Sequence, residues 1–82
     1  MAPRHRDTET YRDSKGNIWT IEYVTYDSTT GNPGDYDEVM QLKKNGREVG
    51  HITYHKDKYN KNKIPPRQTG SINLPPDAKR VV

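Results

Sequence analysis

The side chains of this chain with the clearest chemical potential are two histidines and a nearby carboxylate. His51 and His55 stand four residues apart, and Glu38 precedes them on what reads as the neighbouring strand. A carboxylate and an imidazole beside cationic groups can act as base and acid in RNA cleavage without a metal, while the cations stabilise the crowded phosphate. Glu38, His51 and His55 are therefore the candidate catalytic residues of a metal-independent ribonuclease.

A second set of residues follows directly, where lysines alternate with tyrosines. Ammonium groups displace counterions from phosphates and flat rings stack on unpaired bases, so this mixture favours nucleic-acid binding, with Arg4 and Arg6 joining from the other end of the chain. The alternatives are a solvated basic tail and a tail that contacts an acidic protein surface. The candidate contacts are Tyr54, His55, Lys56, Lys58, Tyr59, Lys61, Lys63 and Arg67.

The charge distribution supports an anionic partner for one end of the chain. Residues 51–82 carry seven Lys and Arg against two acids, whereas residues 1–50 carry seven against nine, within a formal net charge of +3 at pH 7. Such polarity points to nucleic acid or an acidic protein surface as the partner of the C-terminal part.

Length and composition allow one small domain with a thin core. The chain has 82 residues, and 28% of them are hydrophobic. Without cysteine, and without His, Asp and Glu spaced as a ligand set, we predict no disulfide, metal site or cofactor. No apolar run approaches the roughly 18 residues of a membrane span, so we expect a cytoplasmic protein with no membrane partner.

The elements that position these residues are two consecutive hairpins. The first pairs a short strand at 10–12 with a long β-branched and aromatic strand at 18–26, across a glycine-containing turn. Alternation places Trp19, Ile21 and Tyr23 on one face, which we expect to be the core.

The second hairpin has strands at 37–44 and 47–55 around Asn45-Gly46, the strongest short hairpin signal. A two-residue turn predicts the pairs Lys44–Arg47, Lys43–Glu48, Leu42–Val49, Met40–His51, Val39–Ile52 and Glu38–Thr53. This register places Glu38, His51 and His55 on one face. The two histidines are then about 13 Å apart along the strand, so only one of them can pair closely with Glu38.

The C-terminal part reads as an extended arm, because Pro-Pro occurs twice and forbids a central strand. We predict a mainly β fold, a small antiparallel sheet of four to five strands, in which Ile64, Ile72 and Leu74 pin the arm back across the sheet. The predicted divisions are a flexible lead at 1–9, the sheet domain at 10–55 and the basic arm at 56–82. An unprotected strand edge or exchange of the arm also favours a homodimer.

Three functions fit these observations. The first is a noncatalytic module that binds RNA or DNA through the basic, tyrosine-bearing arm. The second is a small inhibitor or adaptor, of the kind found in phages, that binds and blocks a protein partner by strand addition or by its arm. The third is the metal-independent ribonuclease toxin domain.

The segment from Lys44 to Ile52, which leads into a basic, proline-bearing end, resembles the late hairpin of the small cytotoxic ribonuclease domains of bacteriocins and contact-dependent toxins. Those domains are also basic, tyrosine-bearing and free of cysteine, and the resemblance implies ribonuclease activity. The segment is similar to hairpins of acetyltransferase sheets as well. The Asp, His and Glu cluster that precedes the hairpin in the toxins has no counterpart, because no histidine accompanies Asp35 and Asp37.

Overall fold

The computed structural model describes residues 4–27, 34–56 and 64–81, which form one six-stranded antiparallel sheet without a helix. The strands are β1 (Arg4–Arg12), β2 (Ile18–Asp27), β3 (Tyr36–Lys44), β4 (Arg47–Lys56), β5 (Arg67–Gly70) and β6 (Lys79–Arg80). Their order across the sheet is β5-β4-β3-β2-β1-β6. The predicted mainly β fold is confirmed. Nothing in the described ranges is a helix of a length and hydropathy that could cross a membrane.

The two predicted hairpins form the four central strands, and their turns lie side by side. Asn45 and Gly46 both adopt positive φ, 52° and 84°, as a two-residue hairpin turn requires. The Asn45 backbone N–H donates to the Ile18 carbonyl at 2.7 Å, and the Ile18 N–H donates to the Asn45 Oδ1 at 2.9 Å. These bonds fix one hairpin against the other at the turn end of the sheet.

The register divides the side chains between two faces, named here the Leu42 face and the Val39 face. Directly opposed residues of an antiparallel pair point to the same side. Ile21 and Gly50 are the partners of Leu42, whereas Val24 and Thr53 are the partners of Val39. Trp19, Ile21 and Tyr23 thus share the Leu42 face, as predicted.

The predicted register of the second hairpin is correct next to the turn and wrong beyond it. Lys44 pairs with Arg47 and Lys43 pairs with Glu48, but Leu42 pairs with Gly50 rather than Val49. Val49 is the extra residue of a β-bulge, and one extra residue moves every later side chain of β4 to the opposite face. A turn rule fixes register only as far as the first bulge.

Strand β1 begins at Arg4, six residues earlier than the short strand predicted at 10–12. It pairs with β2 along its length, with a register shift between His5 and Asp7 that makes Arg6 an extra residue. The segment contains no aliphatic side chain, so its sequence gave no strand signal. Charged residues and a bulge are common devices on strands near a sheet edge.

The C-terminal segment folds back and supplies both edge strands. β5 pairs with β4 and β6 pairs with β1, so residues 71–78 cross the sheet between its two edges. An ideal Cβ added to Gly50 would lie 2.0 Å from the Ser71 carbonyl oxygen, which places the crossing segment over the Leu42 face. Only glycine at position 50 permits this approach.

The core has a part on each face, and the part on the Leu42 face lies beneath this crossing segment. On the Val39 face, Val24 and Val39 are each 7% exposed. The Leu42 side chain is fully buried and Ile21 is 8% exposed. Within the segment, Ile72 and Leu74 are half-buried while their neighbours Ser71 and Asn73 are exposed. This alternation fits the prediction that Ile72 and Leu74 pin the segment to the sheet, whereas the third predicted residue, Ile64, is 43% exposed.

Candidate nucleic-acid interface

The structure separates the three candidate catalytic residues. Glu38 pairs with Tyr54 and lies on the Leu42 face, whereas His51 pairs with Gln41 on the Val39 face. His55 pairs with Asp37 and shares that second face. The prediction that Glu38 and the histidines share one face is therefore wrong, and the cause is the bulge at Val49.

His51 and His55 have different surroundings on the Val39 face. His51 is half-exposed, and its Nδ1 lies 3.4 Å from a Glu48 carboxylate oxygen. His55 lies between two carboxylates, with its Nδ1 3.0 Å from Asp37 Oδ1 and its Nε2 3.6 Å from Asp35 Oδ2.

His55 and its two carboxylates are buried. The exposed fraction of the side chain is 7% for His55, 9% for Asp37 and 4% for Asp35. The His55 side chain is thus buried between two carboxylates of its own chain and is not exposed alongside Tyr54 and Lys56. Its contacts join the ends of β3 and β4 to the residue that precedes β3. In the described ranges, no set of His, Asp and Glu side chains is arranged to hold a metal ion.

The part of the Leu42 face that lies beyond the crossing segment carries several rings and a guanidinium. Tyr36 and Tyr54 are 37% and 38% exposed, and they are diagonal neighbours because Tyr36 pairs with Lys56 and Glu38 pairs with Tyr54. A cleft of about 270 Å³ lies beside Tyr54, lined also by Arg6, Tyr23 and Glu38. We call this part the tyrosine surface, which comprises Arg6, Tyr23, Tyr36, Glu38, Met40, Tyr54 and Lys56.

A chain of polar contacts organises the tyrosine surface. Arg6 Nη1 lies 3.1 Å from Glu38 Oε2, and the Arg6 guanidinium lies 5.7 Å from the centre of the Tyr23 ring. The Tyr23 hydroxyl donates to Glu9 Oε1 at 3.1 Å. Burial, followed by this hydrogen bond, raises the pKa of Tyr23. Tyr23 therefore stays neutral at physiological pH and holds its ring beneath Arg6.

The other predicted contacts fall in three places. Lys56 is exposed at the end of β4 and belongs to the tyrosine surface. Arg67 is exposed on β5 opposite Thr53, on the Val39 face. Four predicted contacts, Lys58, Tyr59, Lys61 and Lys63, lie outside the described residues.

Sequence reasoning missed Tyr23 and Tyr36 as members of this surface and gave Arg6 only a peripheral place. Alternation along the strands could have placed the two tyrosines there. Tyr36, Glu38 and Met40 are alternate residues of β3, and Tyr23 and Ile21 are alternate residues of β2, so each set shares one face. The position of Arg6 depends on the bulge in β1, which no local pattern predicted.

Comparisons of the chain with protein-family models, with curated proteins and with solved structures find no match.

Proposed function

We propose that the protein binds single-stranded nucleic acid on the tyrosine surface. The observation that carries the proposal is the exposure of Tyr36 and Tyr54 as neighbours on one sheet face, with Arg6 beside them. Exposed rings on a sheet offer stacking platforms to unpaired bases, and each stacked base contributes about 1–3 kcal/mol. A duplex would not present its bases to such rings, so the proposal is restricted to single strands.

Electrostatics add to the stacking argument. The Arg6 charge is compensated in part by Glu38, but Lys56 lies next to Tyr36 and forms no salt bridge within the described residues. The sequence then places Lys58, Lys61 and Lys63 within seven residues of Lys56. These cations follow Lys56 in the sequence, and their positive charge favours the phosphates of a bound strand.

The direct test is binding of a fluorescent single-stranded oligonucleotide, measured by anisotropy at several salt concentrations. Y54A removes an exposed ring, and we expect it to weaken binding by about 1–3 kcal/mol while leaving the unfolding transition unchanged. The matched control is Y26A, since Tyr26 pairs with Asp37 on the Val39 face. Equal losses in the two variants would contradict the proposal, as would absence of binding in low salt.

A second measurement examines the phosphate contacts. K56A should reduce the slope of log affinity against log salt by about 0.7, the value for one contact with a single strand. Its control is K15A, which removes an exposed lysine from the turn at the opposite end of β2. If the wild-type protein captures only proteins from lysate after nuclease treatment and binds no oligonucleotide, the inhibitor or adaptor function takes precedence.

A second candidate function, cleavage of the bound RNA, is favoured by the Arg6–Glu38 contact of 3.1 Å within the cleft. Glu38 would take the proton from a ribose 2′-hydroxyl, the 2′ oxygen would bond to phosphorus, and the P–O5′ bond would break with protonation of O5′ by water. Arg6 would stabilise the charge on the phosphate. The product would be a 2′,3′-cyclic phosphate.

Incubation with RNA and with DNA of the same sequence tests this second function separately from binding. We expect E38Q to abolish cleavage and to retain oligonucleotide binding. Intact RNA after incubation with the wild-type protein would exclude cleavage and leave the binding proposal unaffected. The matched variant is E22Q, because Glu22 lies on the Val39 face in contact with Lys43.

A further inference from the structure

A second group of cations lies at the edge of the sheet where β6 pairs with β1. Arg12 and Lys79 are directly opposed partners in the register, and both are exposed. Like charges directly opposed on neighbouring strands destabilise a sheet. The fold nevertheless holds them together, so an anion beside them would relieve the repulsion.

The position of β6 is fixed by contacts on both sides of Lys79. The Ser14 backbone N–H donates to Asp77 Oδ2 at 3.0 Å, and the Ser14 hydroxyl donates to the same oxygen. Beyond the strand, the Val81 N–H donates to the Thr10 carbonyl at 2.8 Å. The pairing of Arg12 with Lys79 is therefore built into the fold rather than produced by two mobile side chains that meet at the surface.

Arg12 and Lys79 differ from the neighbouring Arg80 in their ion pairing. Within the described ranges, Arg80 pairs with Glu9 at 3.3 Å, whereas Arg12 and Lys79 form no salt bridge. The nearby carboxylates already accept several hydrogen bonds. Asp13 accepts from the Lys15 and Asn17 backbone N–H groups and from the side chains of Asn17 and Trp19, and Asp77 accepts from Ser14.

A recess accompanies the two charges. It has a volume of about 510 Å³, and its charged lining consists of Arg12, Lys79 and Arg80 together with the carboxylates of Asp13 and Asp77. An arginine fork and a lysine ammonium on adjacent strands suit the oxygens of one phosphate, since arginine binds them in a bidentate manner and lysine binds as a point charge. Neutral ligands would leave the repulsion between the two cations in place.

We infer that the recess between β1 and β6 binds a phosphate group through Arg12 and Lys79, and that this phosphate belongs to the same nucleic-acid strand that occupies the tyrosine surface. This inference rests on the proposed function. Arg12 and Arg4 are the two ends of β1, about 27 Å apart by the usual strand rise. Arg4 lies in the row of Tyr54 on the Leu42 face, whereas Arg12 pairs with Ile18 on the Val39 face, so a bound strand has to pass around the β6 edge of the sheet to reach both sites. A strand must therefore have several nucleotides to reach both sites, and a strand that does so gains from effective concentration.

The length of the oligonucleotide distinguishes binding at the recess from binding at the tyrosine surface. Oligonucleotides of about 4 and about 12 nucleotides bracket the distance, because single-strand sites on OB folds, taken as a guide to size, span about 4–16 nucleotides. We expect R12A and K79A each to weaken binding of the long oligonucleotide by about three- to tenfold and to leave the short one unchanged. K43A is the matched control, since it also removes one positive charge but Lys43 is already paired with Glu22 at 3.1 Å.

Titration with inorganic tripolyphosphate, followed by the amide chemical shifts of Arg12, Ser14 and Lys79, examines the recess without nucleic acid. Shifts that saturate in the wild type and vanish in R12A support the phosphate site even where oligonucleotide binding fails. If R12A and K79A bind both oligonucleotides as the wild type does, the inference is overturned and the tyrosine surface stands alone. Thermal unfolding of both variants should match or exceed the wild type, because each substitution removes a repulsion.

Discussion

The two halves of the Leu42 face differ sharply although they occupy the same strands. On β3, Leu42 is fully buried, whereas Tyr36 near the other end of the strand is 37% exposed. The crossing segment accounts for the difference, because it meets Gly50, the partner of Leu42, and ends against Ser14. On the Leu42 face, the chain thus buries aliphatic side chains under one half and leaves the other half available to a ligand.

The largest expected effect comes from the covered half. L42A removes the one large side chain that is fully buried in the described residues, and we expect unfolding to be easier by about 3 kcal/mol. Urea denaturation measures this change. M40A, on the same strand but at the cleft, should cost much less. Equal losses would show that the two halves are equally packed and would undo the comparison.

The next largest effect is expected where the crossing segment meets the sheet. G50A places a methyl group 2.0 Å from the Ser71 carbonyl oxygen, so the segment has to move. We expect a loss of about 2 kcal/mol in the free energy of unfolding, as for other overpacked sites. Gly46 cannot supply the control, because its φ of 84° would strain any other residue. The control is T53A, a substitution at another position of β4.

Oligonucleotide binding by G50A shows whether the crossing segment affects only the core or also the tyrosine surface. If the crossing segment only builds the core, folded G50A should bind an oligonucleotide through the tyrosine surface as the wild type does. Loss of binding in a folded protein would mean that the segment also shapes the ligand surface.

Sequence alone predicted the parts of this architecture that depend on neighbours in the chain. The turn at Asn45-Gly46, the first two pairs beyond it and the shared face of Trp19 and Ile21 follow from turn chemistry and alternation, and the structure confirms them. The extended segment with its two proline pairs was also recognised, but its strand partners were not. β5 and β6 are short, polar and paired with distant strands, so no local pattern reveals them.

The candidate site was harder to predict because one residue decides it. The bulge at Val49 moves His51 and His55 away from Glu38, and it coincides with Gly50, where Ser71 approaches the sheet. A two-residue turn at Asn45-Gly46 gives no information on a contact made by Ser71, far along the chain. Burial of His55 between two carboxylates follows from the same change of register.

The smallest effect appears only in acid and concerns the turn that receives the end of the crossing segment. The hydrogen bond from the Trp19 indole, with further bonds from Asn17 and the Lys15 N–H, lowers the pKa of Asp13 from 3.8 to about 2. Because the folded state prefers the ionised form, this carboxylate stabilises the fold above its unfolded pKa of about 3.8. The stabilisation is lost as the pH falls towards about 2.

D13N removes this titration, so its unfolding midpoint should change less than that of the wild type between pH 3.8 and about 2. Urea denaturation at several pH values measures the difference, and Asp77 provides the comparison, since bonds from Ser14 lower its pKa as well. A smaller acid dependence in both D13N and D77N would show that the turn and the end of the crossing segment are stabilised together. Identical pH profiles for D13N and the wild type would mean that the Asp13 carboxylate does not hold the turn, and the covered half would then depend on packing at Leu42 and Gly50 alone.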